Sequence, residues 1–298
     1  LPDSTGFHHP TRFMEGGAVE AGRELAAMAK TQPERVLALI ERLAPQHNET
    51  PVGLALEALA QTDLSTAQLC EAVATCHRRG FASEQFRDDA ARALGRRAGG
   101  NPGLPEDILD MFRAWLAEVP QDVRTKPRLV PQDSSGSPPF LSGSSGFISL
   151  PAGNYTVLDT MLVALLSAKQ PRAAEWIQLL KEHVERDEQP TCWTALAHRL
   201  EHLRNCDSKD VTAFLARLFV RYPEVLECTG GVQLLAWAAW WVEPSQTQSW
   251  LALLAENGWQ HALRASGELT ALLAVRSQPL PWANEDLTAI VDSQGPID

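Results

Sequence analysis

Reactive chemistry in this chain would have to come from a few spaced groups of histidine, carboxylate, cysteine and serine. The sharpest is His198-Arg199-Leu200-Glu201-His202, an H-x-x-E-H spacing in which two imidazoles one helical turn apart can hold zinc while the glutamate activates water. Trp193, Leu196, Leu200 and Leu203 form the apolar stripe of the same segment. At about 100° per residue, His198 and His202 fall about 160° from Leu200, which turns them to solvent. A catalytic zinc also needs a third protein ligand, and no second motif supplies one. His198 and His202 therefore stand as weak metal candidates on a solvated face, and no cofactor and no enzymatic activity are expected.

The other candidates reduce in the same way. His8 and His9 are neighbours, and adjacent side chains of an extended segment point to opposite sides. Cys70 and Cys76 are six apart, so on a helix their side chains diverge by about 120°, and both read as small buried hydrophobes beside His77. Ser142-Gly143-Ser144-Ser145-Gly146 lacks the spacing and the preceding strand of a nucleophile elbow. Arg78, Arg79, Arg87, Arg92, Arg96 and Arg97 could meet phosphate, as in a HEAT-like DNA-binding glycosylase, which with a zinc peptidase is the enzymatic alternative, but Glu84, Asp88 and Asp89 lie one turn from Arg87, Arg92 and Arg96 and take up much of that charge. With Lys+Arg 26 against Asp+Glu 37, a net charge of −11 repels nucleic acid, which is disfavoured as a partner.

The elements that must position any site are helical. Leu and Ala recur at three- and four-residue intervals, and β-branched alternation is almost absent across the 298 residues. No apolar run is long enough for a membrane span. Pro33, Pro51, Pro105, Pro171, Pro190 and Pro244 each open an apolar stripe, so proline is read as a helix start, with Pro45 and Gln46–Thr50 stopping the helix before. The spacing predicts helices at 15–30 with 33–43, 51–61 with 65–78, 83–98 with 105–118, and 154–168 with 171–185. It predicts 190–204 with 208–222, 230–242 with 244–257, and 259–276 with 282–291. Hairpins of about 36–40 residues are near the length of HEAT repeats. The expected fold is all-α, a HEAT-like α-solenoid of about seven helical hairpins in two lobes, 1–118 and 154–298. A Pro/Gly/Ser-rich linker loop spans 119–153 between them.

Apolar residues in a Gly/Ser-rich stretch are suited to docking on a specific surface, which makes Phe140, Phe147, Asn154 and Tyr155 candidate partner contacts. Trp237, Trp240 and Trp241 share a broad helical face, and Trp240 is the ring expected to remain exposed as an anchor. Five cysteines without a C-x-x-C, and no basic-then-apolar start, point to a reducing, cytoplasmic setting. The absence of an initiating Met suggests a chain cut from a longer polypeptide.

Several blocks carry a family resemblance: Gly16-Gly17-Ala18-Val19-Glu20 with Gln32-Pro33-Glu34-Arg35, the stretch Leu64–His77, and Ser145–Leu158. They resemble the helical-repeat regions that follow the nucleotide-binding module in large bacterial NTPases of the NACHT and wider STAND type. That resemblance implies a non-catalytic segment of a signalling or anti-phage defence protein, used for sensing, autoinhibition or assembly. Its partner would be another protein or flanking domains of the same polypeptide. No G-x-x-x-x-G-K-[ST] phosphate cradle occurs here, so the family's own ATPase chemistry has no counterpart in this sequence.

Overall fold

The computed structural model describes residues 17–101, 103–118, 155–167, 172–186, 203, 205–222, 225–226, 229–239, 242–256, 260–275, 283, 285 and 288. Among them there are twelve α-helices and no strand. They are α1 Ala18–Thr31, α2 Pro33–Ile40, α3 Pro45–Leu59, α4 Thr66–Arg78, α5 Glu84–Ala98 and α6 Glu106–Ala117. After the 119–153 segment come α7 Tyr155–Leu166, α8 Ala173–Arg186, α9 Ser208–Arg221, α10 Thr229–Ala238, α11 Pro244–Glu256 and α12 Gln260–Val275. The expected helices 190–204 and 282–291 lie almost wholly outside the described residues.

Local chemistry sets several of the starts. The Ser65 hydroxyl accepts from Gln68 N at 3.2 Å while the Gln68 side chain accepts from Ser65 N, a reciprocal capping box. Ser83 caps α5 through Phe86 N, and Asp207 accepts from Lys209 N at the head of α9. Pro33 opens α2 at its first turn.

Pro45 and Pro51 reverse the roles expected of them. Pro45 opens α3 instead of ending the helix before it, and Pro51 sits inside α3. An interior proline forfeits one backbone bond, here to the His47 carbonyl, and ordinarily breaks a helix. At this position α1 lies directly against α3: a Cβ on Gly22 would come 3.1 Å from the Pro51 Cα and 2.6 Å from Leu54 Cδ1. Pro51 and Val52 are buried there, and that packing holds the turn closed.

The chain divides into two compact units, the first ending at Trp176 and the second continuing from Ile177, within α8. In the first unit α1 packs on α3, α3 on α5 and α5 on α7, while α2 meets α4 and α4 meets α6 in a second row. Helix 155–166, grouped by sequence with the C-terminal lobe, packs on α5 and α6. Polar ties repeat one hairpin apart: Arg79 to Leu43, Arg92 to Glu57, Arg97 to Thr62, Gln68 to Glu34 and Trp115 to His77 span 34–38 residues. The core of this unit is aromatic around Phe81, Phe86, Phe112 and Trp115, all at most 1% exposed, with ring centroids 5.3–6.5 Å apart. In the second unit α10, α11 and α12 pack together, and Phe219 of α9 meets Trp250 of α11 edge to face at 5.4 Å.

The α3–α5 approach depends on Gly53, where an added Cβ would lie 2.4 Å from Asp89 Oδ2 and 2.8 Å from Asp89 Cβ. A methyl there forces the helices apart, so Gly53→Ala is expected to lower unfolding free energy by about 1–2 kcal/mol net of its helix-propensity gain. Gly267 in α12 meets nothing within 4 Å, and Gly267→Ala is expected to raise stability by about 0.5–1 kcal/mol. Urea titration of both variants checks the pair, and equal effects would contradict the close approach.

Candidate functional site

Most residues singled out by sequence, Phe140, Phe147, Asn154, His198, Glu201, His202 and Trp240, lie outside the described residues. Tyr155 is the first residue of α7 and is buried at 4% exposure. Cys70 and Cys76 are buried free thiols, and burial pushes them up to about 11 and about 12, so neither offers a thiolate at neutral pH. Beside them the indole N–H of Trp115 donates to His77 Nδ1 at 3.3 Å. Trp is only a donor, so His77 carries its proton on Nε2. Burial, and then the Arg87 charge, hold this imidazole below its ordinary range. Among the described residues no group of three or more His, Cys, Asp or Glu is placed to hold a metal ion.

The arginines of α4 and α5 tie helices together. Arg79 donates to the Ile40 carbonyl at 3.0 Å, at the C-terminal end of α2, and to the Leu43 carbonyl at 2.6 Å in the connection that follows it. Arg97 donates to the Thr62 carbonyl at 2.6 Å, just beyond the end of α3. A guanidinium suits the carbonyl-rich, partially negative end of a helix in both charge and fork geometry. The opposite pole is met by Glu49 of α3, 8% exposed, whose carboxylate accepts from Ala82 N at 3.1 Å and Ser83 N at 2.6 Å at the head of α5. Arg87 pairs with Glu118 and lies over the Trp115 ring, 5.9 Å from its centroid.

The most unusual electrostatics lie in a seam across α3, α5 and α7. Arg92 there binds Glu57 of the neighbouring helix and Asp88 of its own, with Asp89 at 3.3 Å. Thr156 of α7 donates to Asp88, and Gln85 donates to Asp89 Oδ1 at 2.8 Å. Three carboxylates thus share one guanidinium. Asp89 is 0% exposed, and its Oδ2, turned toward Gly53, has no hydrogen-bond partner. Burial first, then the Glu57 charge, push its carboxyl up to about 7. Helical period held the signal for this: Asp89 lies three residues after Phe86 and four before Ala93, both buried on α5. A carboxyl titrating near neutrality could serve as a general base, yet this one faces a glycine backbone where no substrate can reach.

A second network joins α6 to the start of α8. Arg113 pairs with Glu106, Asp110 and Glu175, and Arg172 with Glu106 and Glu175. Hydrogen bonding from Arg172, then from Arg113, pulls the Glu106 carboxyl down to about 2. Two surface recesses lie elsewhere in the first unit. One of about 620 Å³ is lined by Lys30, Glu34, Gln61, Asp63 and Gln68 among others. The other, about 220 Å³, runs between α2 and α4. Neither borders Asp89.

The sign of the Asp89 effect follows from proton counting. The folded chain holds this proton up to about pH 7 and the unfolded chain releases it near 3.8, so between those values the folded state binds more protons and stability falls as pH rises. The full loss, reached above about pH 7, is on the order of 4 kcal/mol at roughly 1.4 kcal/mol per unit. Asp89→Asn removes the titration, and the slope of unfolding free energy between pH 5 and pH 8 (about three units) should flatten relative to the parent chain. Parallel slopes in the two proteins would contradict it. Glu106 acts in the opposite sense, its contribution disappearing only as pH falls from the ordinary carboxylate range toward about 2.

Compared with known proteins, the chain matches no family model, no curated protein and no solved structure.

Proposed function

We propose that this chain is a non-catalytic recognition segment, a HEAT-like α-solenoid of stacked hairpins that binds a protein partner or flanking domains of its own polypeptide. Its setting would be a cytoplasmic bacterial signalling or defence NTPase of the NACHT/STAND type, where such a segment senses, inhibits or assembles.

One observation carries the reading: in the first unit three half-buried arginines and the buried Glu49 are spent on helix-to-helix ties one hairpin apart. Arg79, Arg92, Arg97 and Glu49 each reach a helix end or carboxylate 33–39 residues away. Catalysis needs convergent, desolvated groups around a space that admits substrate. The buried carboxyl with the most altered affinity for its proton, Asp89, instead closes onto Gly53. Stacked hairpins bury one apolar layer and leave a long row of freely variable surface, which suits recognition. Of the arginine cluster, Arg78, Arg79, Arg87, Arg92 and Arg97 are already occupied by Glu71, Glu118, Glu57, Asp88 and backbone carbonyls, which leaves the exposed Arg96 as a weak foothold for phosphate.

The test is affinity capture on the immobilised full chain, followed by reconstitution with the captured protein in purified form and metal analysis of the same sample. The expected result is a stable stoichiometric complex at micromolar concentration, with the partner recovered chemically unchanged. Stoichiometric zinc that disappears in a His198→Ala variant, or a partner recovered cleaved, would overturn the reading in favour of a peptidase.

A further inference from the structure

The second row of helices in the first unit carries a furrow whose walls keep helical register. On α2 it is lined by Leu37, Ile40 and Glu41, and on α4 by Gln68, Glu71, Ala72 and Thr75, spacings of three and four that put each set on one face. Ile40 is 2% exposed and forms part of the floor. Ala72 gives α4 only a methyl at the centre of its wall, which leaves the furrow about 220 Å³ of room, enough for one aliphatic side chain. Gln68 is also a wall of the 620 Å³ recess. An apolar notch and a roomier polar recess therefore adjoin.

Charge selects the occupant. The carboxylates lining the two recesses are Glu34, Glu41, Asp63 and Glu71, against one ammonium, Lys30. Glu71 is taken up by Arg78 and Thr75, and Glu34 accepts from Gln68 at 3.4 Å. Glu41 and Asp63 are exposed and have no ion-pair partner among the described residues. A phosphate backbone is repelled by such a rim, and a second copy of a chain with net charge −11 would bring like charge to it. We propose that the α2–α4 furrow docks a basic amphipathic segment of a partner protein, one aliphatic side chain seated over Ala72 and Lys or Arg side chains held by Glu41 and Asp63. The seated side chain supplies the affinity, and the exposed carboxylates supply orientation, association rate and salt dependence. This inference rests on the recognition reading and specifies its surface.

The experiment is fluorescence anisotropy of the full chain with three short fluorescein-labelled peptides: Leu and Lys at helical spacing, the same with Glu for Lys, and the same with Ser for Leu. The Leu/Lys peptide is expected to bind at least about tenfold more tightly than either control, and more weakly as salt rises. The double variant Glu41→Lys/Asp63→Lys, altered only at exposed positions, should weaken it about tenfold, and Ala72→Phe, which fills the notch, should weaken it as much. Circular dichroism and melting verify both folds, and if Ala72→Phe melts early the charge variant decides. Equal binding of the Glu-containing peptide, or no binding of any peptide, overturns the proposal. Parent-like binding by the charge variant also overturns it but leaves recognition through another surface intact, whereas failure of the recognition reading itself would show as zinc or partner cleavage in the capture experiment.

Discussion

Every α-helix leaves amides at its start and carbonyls at its end without internal partners, and burying either without a partner is costly. In the first unit local caps such as Ser65 and Ser83 meet some of these groups, and side chains from the neighbouring hairpin meet others. Arg79 reaches carbonyls at and just after the end of α2, Arg97 reaches the carbonyl of Thr62 after α3, and Glu49 reaches the amides that open α5. Each tie fixes the height of one helix against its same-row neighbour. A slip along the axis by one turn would strand a charge and a helix end together, so these few contacts set the register that apolar packing alone leaves loose.

Glycine sets how close the helices of the odd-numbered row come to one another, and Asp89 is the consequence. Gly22, Gly53 and Gly95 sit at successive odd-helix contacts, where an added Cβ would come within 2.4–2.8 Å of Leu54, Asp89 and Thr160. At the last contact the Thr160 hydroxyl donates to the Ala91 carbonyl at 2.9 Å. At the middle one the partner is an ionisable side chain, so a packing decision made by Gly53 becomes an electrostatic property of Asp89. The same closeness that raises the carboxyl's proton affinity seals it from any substrate.

Much of the helical framework was legible because its signals are local. Ser65 with Gln68, Ser83 before Phe86 and Pro33 before Val36 are start signals confined to one turn, and the helices begin there. Pro45 and Pro51 were misread because the deciding term is the contact of α1 with α3, which no local pattern contains. The intrahelical pairing read for Arg92 with Asp88 and Asp89 is present, but its bond to Glu57 and the reach of Arg79 and Arg97 to other helices depend on stacking. The Pro33–Pro51 spacing did not mark two helix starts, because Pro51 lies inside α3, and the side chains that tie one helix to another were not readable. The furrow beside Ala72 was invisible for the same reason, since its walls come from α2 and α4.

The tie between consecutive hairpins is most directly measured by native-state hydrogen exchange on an Arg97→Met variant, which keeps the aliphatic stem and removes the fork that holds Thr62. The account predicts faster exchange of amides at the end of α3 and along α5 together, with α1 and α2 retaining most of their protection. Unchanged protection at both, or a uniform loss across the whole unit, would contradict the claim that side chains reaching helix ends hold the stack in register.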